Sequence, residues 1–332
     1  MPVLRYLLAP AGLAAALALA GCAASQHATD EKYYLVATNV KLPYWQSALA
    51  GLSRAGRDLK VASELVGPDT YDPKAQQAEL QKLIQRQPPP SGILISAADP
   101  GLLGSDIEAA MRKGIPVITM DSDAVSSPRI LFIGTDNYKA GMMGGQLTAR
   151  LLQGKGNVVI LTMPEQLNLN QRLQGYRDAF ATHPQIAVAK VVDVKGDPRI
   201  AFDSTKELLN TKTKPSAFVC LVSFACAEVA EVVNRENLAG KIVVVAMDTE
   251  KRTLDGIQSG VIAATLGQKP FTMAYHGVML LDLFHHYPLQ PLIANRVNDS
   301  ASQVPAFVDT GATLIDKTNV ASFLSQASGS GR

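Results

Sequence analysis

Two carboxylates stand where apolar strands run out. Val117-Ile118-Thr119-Met120 ends on Asp121-Ser122-Asp123, and Ile242-Val243-Val244-Val245-Ala246-Met247 ends on Asp248-Thr249-Glu250. In an open α/β sheet, ligands bind beyond the carboxyl ends of the strands, where loops fan out and helix N-termini point inward. Both aspartates are therefore expected at one cleft. An ionised carboxylate accepts several hydrogen bonds, and charge-assisted bonds are about twice as strong as neutral ones. Two vicinal hydroxyls can donate to one such group, which is chemistry suited to a polyol. A strand-end aspartate can also do no more than cap the next helix, so the weight lies in the recurrence.

Comparable corners carry the rest of a polar site. Leu42-Pro43-Tyr44-Trp45 follows the first strand and puts two rings at a helix start. A ring can stack on the C–H face of a sugar, although one of the pair is expected in the core. Asn168 and Arg172 are four apart and share a helical face. Arg172 would donate where the aspartates accept. Gln268 places an amide after the run Ile262 to Gly267. Taken singly, Arg172 reads more readily as a surface ion pair, and Asn168, the weakest polar candidate, as a helix cap.

The elements that must position these residues follow from patterning. Val- and Ile-rich runs of four to eight residues recur at Tyr34–Thr38, Val61–Val66, Gly92–Ala97, Val117–Met120 and Ile130–Gly134. They resume at Val158–Met163, Val188–Val194, Ala217–Val222, Ile242–Met247 and Ile262–Gly267. Continuous rather than alternating runs indicate parallel strands covered on both faces. Helical patterns separate them; Trp45, Ala48, Leu49 and Leu52 fall at i, i+3, i+4 and i+7, and Asp72-Pro73 opens a helix. Five units followed by five more predict an α/β protein with two doubly wound, Rossmann-like lobes.

The first residues read as an export signal. Arg5 precedes an apolar stretch from Leu7 to Ala20, short for a membrane span, and Leu19-Ala20-Gly21-Cys22 resembles a lipobox. Residues 1–21 are expected as a lipoprotein signal peptide, Cys22 as the lipid-attachment residue, residues 22–32 as a tether and residues 325–332 as a disordered tail. The whole chain of 332 residues carries a formal charge of +2. That offers no basic stripe for nucleic acid and no polybasic membrane patch. Export permits a disulfide between Cys220 and Cys226, but one lies late in a strand and the other in the following helical turn, so both are expected as buried free thiols; their spacing is not that of a redox or zinc pair.

Taken in order, Leu42-Pro43-Tyr44-Trp45, GIPVITMDSDA, IGTDNYKAG, NQRLQGYRDAF, VVVAMDTEKRTLDGI and ATLGQKP closely resemble the ribose-type periplasmic sugar-binding proteins, the substrate-binding subunits of ABC importers. The resemblance spans about Tyr33 to Leu324. It implies a three-crossover hinge, with crossovers expected near Asp136, Gln268 and Pro305. Lobe 1 would comprise residues 33–136 plus 269–304, and lobe 2 residues 137–268 plus 305–324. It also implies roles by position: Tyr44 and Trp45 stack on the sugar, Asp121 and Asp248 accept from its hydroxyls, Arg172 reaches across the cleft, and Gln268 supplies a hinge amide. Asn168 matches an asparagine found in a subset of the family. Three places depart from the pattern. Many relatives have Asn-Asp at the end of the strand that here reads Leu221 to Ala225, where Ser223 or Phe224 would have to serve; Ser122 stands where the ribose-specific pattern has arginine, and Leu42 where asparagine is expected. These changes leave the fold assignment intact and loosen the link to ribose.

The function expected is a solute receptor without cofactor, metal or catalytic residues. Its partners would be a monosaccharide or polyol, an ABC permease with its ATPase, and a bilayer through Cys22, with the protein monomeric at the bacterial cell envelope. Two readings compete. The same fold could present a signal molecule to a membrane sensor. An exported hydrolase could use Asp121 and Asp248 as an acid/base pair, but Arg172 is expected to hold both ionised. No serine nucleophile elbow, His-Glu-x-x-His or Walker loop is present. A sugar-responsive repressor is excluded by the export signal where a helix-turn-helix would stand.

Overall fold

The computed structural model describes residues 27–291, 299 and 301–329. Residues 1–21, expected as a signal peptide, and Cys22 lie outside the described residues, as do residues 330–332.

The first leg of the chain lays down β1 (Lys32–Val36), α1 (Pro43–Leu59), β2 (Ala62–Val66), α2 (Pro73–Ile84), β3 (Gly92–Ile95), α3 (Pro100–Arg112), β4 (Val117–Met120) and β5 (Phe132–Gly134). The second adds α4 (Asn137–Leu151), β6 (Lys155–Thr162), α5 (Leu167–Ala181), β7 (Gln185–Asp193), α6 (Pro198–Leu209) and β8 (Ala217–Cys220), then α7 (Ala225–Arg235), β9 (Val243–Met247), α8 (Lys251–Ser259) and β10 (Ala264–Gly267). Last come α9 (Pro270–His286), β11 (Phe307–Asp309), β12 (Thr313–Asp316) and α10 (Val320–Gly329).

Two six-stranded sheets result, in the orders β11-β5-β4-β3-β1-β2 and β12-β10-β9-β8-β6-β7. The correspondence is close: β4 in one sheet holds the place of β9 in the other, and β5 that of β10. Each sheet has its own apolar core, one centred on residues such as Leu35, Leu94 and Ile118, the other on Ile160, Val219 and Val245. The central strands are buried on both faces and carry no charged side chain, so carboxylates collect where these strands end.

Helix starts follow local chemistry. The Asp72 carboxylate accepts from the Lys74 and Ala75 N–H groups, and Pro73 opens α2 where no N–H is needed. Asp99 and Pro100 do the same for α3.

Four expectations are corrected here. β11 and β12 were not read as strands; they are short and lack a Val/Ile run. Because Phe307–Asp309 pairs in parallel with Phe132–Gly134, the third crossover lies between Asp309 and Thr313 rather than at Pro305. β12 runs antiparallel to β10, an exception to the all-parallel expectation. At the ends, residues 27–31 are not a loose tether, since Glu31 is buried against the first lobe, and α10 continues to Gly329 through the expected tail.

Candidate functional site

Asp121 and Asp248 occupy equivalent corners. Each immediately follows its strand, and each N–H donates to the neighbouring strand, Asp121 to the Ile133 carbonyl at 3.1 Å and Asp248 to the Leu266 carbonyl at 2.8 Å. Both adopt left-handed backbone, with φ of 66° and 69°. Non-glycine residues pay roughly 1–3 kcal/mol for such conformations, which recur at ligand sites. The twist turns each side chain off its strand and into one cavity between the lobes, which both aspartates line.

Around them the hydrogen bonds are specific. The Tyr44 hydroxyl donates to Asp121 Oδ1 at 2.8 Å and the Ser96 hydroxyl to Oδ2 at 3.0 Å. Across the cavity, Gln268 Nε2 donates to Asp248 Oδ1 at 3.1 Å. Arg172, 1% exposed, donates to the Leu221 carbonyl and to Asn137 Oδ1. Its placement depends on tight helix packing: a Cβ on Gly141 of α4 would sit 2.1 Å from the Arg172 carbonyl oxygen, and one on Gly175 of α5 would sit 2.2 Å from that of Tyr138. Only glycine lets the two helices approach this closely. Arg172 Nε and Gln268 Oε1 are buried and have no hydrogen-bond partner among the described residues. One donor and one acceptor are thus unused in the same cavity.

Burial dominates the electrostatics. It pushes the Asp248 carboxyl up to about 7, against the opposing pull of Arg172 and Gln268. Asp121 is raised for the same reason, although Tyr44, Arg172 and Ser96 oppose it. Burial also lowers Arg172, with the two aspartates holding it charged. The expectation that Arg172 keeps both carboxylates ionised is corrected for Asp248: burial outweighs the pull of Arg172, which makes no direct ion pair with either aspartate among the described residues. A guest whose hydroxyls donate to the carboxylates supplies what solvent no longer does.

Nine of the ten residues expected from sequence line this cavity: Tyr44, Trp45, Asp121, Asn168, Arg172, Ser223, Phe224, Asp248 and Gln268. Ser122 does not. Its side chain is wholly buried and its carbonyl accepts from the Ala97 N–H, because the turn that points Asp121 inward points the next residue back into the lobe. Asp123 is likewise structural, in a buried ion pair with Arg129. Tyr44 and Trp45 both reach the site, packed edge to face at 5.1 Å, but the Tyr44 hydroxyl is committed to Asp121. Asn168 also accepts from the Leu169 N–H at 2.9 Å.

Cys220 and Cys226 form a disulfide, with Cα atoms 5.6 Å apart, which corrects the reading as free thiols. The bridge spans the end of β8 and the first turn of α7. It thereby clamps Leu221 to Phe224, all four of which line the cavity.

Other lining residues went unread. Thr38 and Asn39 follow β1, and the corner rule that found Asp121 applies to them equally. Tyr71 gave no signal. It lies before α2 in the first lobe, lines the cavity, and packs its Cβ 2.7 Å from where a Cβ on Gly196 of the second lobe would stand. The two lobes meet over the cavity mouth at this contact. Gly196 has φ of 73°, so that position favours glycine on two counts.

Comparison with known proteins agrees with this geometry. Residues 33–284 match the family described as the periplasmic binding protein domain. The ribose import binding protein of Haemophilus influenzae is 24% identical over 81% of this chain and 91% of its own. Among solved structures, the arabinose-binding protein AraP of Geobacillus stearothermophilus is 34% identical, covering 89% of this chain and 99% of that one, with a TM-score of 0.73. An ABC-transporter solute-binding protein of Burkholderia graminis, solved with D-arabinose, is 26% identical with coverage of 90% and 99% and a TM-score of 0.80.

Proposed function

Because the chain belongs to the periplasmic binding protein family, we propose that it captures a monosaccharide or related polyol between its lobes and hands it to an ABC importer, with no covalent chemistry. The observation that carries this reading is the convergence of Asp121 and Asp248, from equivalent strand ends of separate lobes, on one cavity with Arg172 and Gln268. In this reading the carboxylates accept from ligand hydroxyls, Arg172 Nε donates, Gln268 Oε1 accepts, and Trp45 packs against the apolar face of the ring. The hydrolase alternative finds no support among the relatives compared, all of which are named as binding proteins.

Leu42, Met163, Leu221, Val222 and Phe224 give the cavity a substantial apolar side. That side favours ligands with few hydroxyls, a pentose over a hexose. A thermal-shift screen of pentoses, hexoses, deoxysugars and inositols is expected to find one or a few stabilising ligands, confirmed by calorimetry at one per chain. If no member of the panel raises the melting temperature, the polyol reading fails.

Family membership places the chain outside the cytoplasm, and among the described residues no helix is long and apolar enough to cross a membrane. We infer further that residues 1–21 are cleaved and that Cys22 is lipidated, anchoring a monomeric receptor to the membrane by its N-terminus. The support is the Leu19-Ala20-Gly21-Cys22 sequence after an apolar stretch. In cells making the Cys22→Ser protein, the receptor is expected in the soluble fraction, whereas the parent pellets with membranes. Equal membrane association of the two would refute the anchor.

A further inference from the structure

At the end of the first lobe away from the cavity, His27, Glu31, Asp282 and His286 each offer a ligand atom, and these atoms all lie within 4.8 Å of one another. We propose that this cluster is a site for a divalent transition-metal ion of the zinc class, which fastens the segment preceding β1 to the last turns of α9.

The geometry is near that of a tetrahedral site. His286 Nε2 lies 3.1 Å from Glu31 Oε2 and 3.6 Å from Asp282 Oδ1. His27 would offer one ring nitrogen, and its Nε2 lies 3.7 Å from Asp282 Oδ1. Nitrogen and oxygen ligands at ~2.0–2.1 Å from zinc stand roughly 3.3 Å from one another, so a modest inward movement completes the set. Stacking of the two imidazoles, with centroids 5.0 Å apart, keeps both rings beside the same two carboxylates.

Composition and surroundings select the ion. Two carboxylates balance a divalent charge, and two imidazoles favour zinc, nickel or copper over calcium or magnesium. Asp282 and His286 are four apart on α9 and share a face at its C-terminal end, where the helix dipole attracts cations. The Tyr33 hydroxyl donates to Asp282 Oδ1 at 2.9 Å, an orienting bond of the kind that supports metal ligands. Sequence gave little warning: His285 and His286 are adjacent and diverge on the helix, and only His286 joins the cluster.

The test uses the chelator-treated protein, purified without a histidine tag and titrated with zinc by calorimetry and by thermal shift. One zinc per chain is expected to bind and to raise the melting temperature. His27→Ala and His286→Ala should each weaken zinc binding about tenfold or more, while the far-UV circular dichroism of both variants matches the parent. His27 precedes β1 and belongs to no strand or helix, so its removal leaves the lobe's framework in place. Failure of zinc to saturate the parent at ~100 μM, a weak free energy for a built site, would overturn the proposal. So would undiminished binding in both histidine variants.

Discussion

Replacing Asp248 with alanine is expected to weaken sugar binding about a hundredfold at pH 8. Two ligand hydroxyls would each lose a charged acceptor, at ~1.5 kcal/mol apiece, and 1.4 kcal/mol is a factor of ten. Asp121→Ala should act similarly, with an added effect because the Tyr44 hydroxyl and the Ser96 hydroxyl lose their acceptor. Calorimetry with the ligand found by screening checks both, and unchanged affinity in both variants would remove the aspartates from the site. The pH dependence sharpens the test. Burial pushes the Asp248 carboxyl up to about 7 in the folded protein from 3.8 ordinarily. Between these values the folded chain keeps a proton that the unfolded chain has lost, so this group's contribution to stability falls as pH rises through the window. Sugar affinity moves the opposite way. Hydroxyls donate to the ionised carboxylate, so binding should expel a proton near pH 7 and strengthen as pH rises from 5 to 8. The proton released is measurable by calorimetry in buffers of different ionisation enthalpy, and Asp248→Ala should abolish most of it.

Arg172→Met is the second large effect. The guanidinium is buried, donates to the Leu221 carbonyl and to Asn137 across from α5, and is the cation facing both aspartates. Removing it takes a charged donor from the ligand and leaves the aspartates harder to ionise. Affinity at neutral pH should fall at least a hundredfold, about 3 kcal/mol for lost charged hydrogen bonds. The midpoint of its pH dependence should move upward, because the attraction that lowers Asp248 is gone. Arg172→Lys separates charge from shape. It should retain the pH midpoint of the parent and still bind weakly, because an ammonium cannot form the planar fork to Leu221 and Asn137. A parental affinity in Arg172→Met would show the arginine to be purely structural.

What the sequence by itself determined was the alternation and its consequence. Val- and Ile-rich runs such as Val158 to Met163 and Ile242 to Met247 supply strands β6 and β9, because pairing inside a sheet covered on both faces buries them. Polar residues are therefore driven to strand ends, and that logic singles out Asp121, Asp248, Arg172 and Gln268, all of which line the cavity. Short strands without such runs, Phe307–Asp309 and Thr313–Asp316, stayed hidden because pairing with an existing sheet edge, rather than their own composition, makes them strands. Only the tertiary structure decided direction and partnership. The left-handed turn at Asp121 aims one carboxylate into the cleft and returns Ser122 to the core, a choice of backbone dihedral that residue type does not dictate. Tyr71 meets Gly196 and His27 faces His286 because whole elements are docked by packing, while Cys220 reaches Cys226 through the turn that joins β8 to α7. Contacts between residues far apart in the chain, or in mutually divergent positions on a helix, depend on how two lobes and a returning helix settle against each other. No local periodicity encodes that.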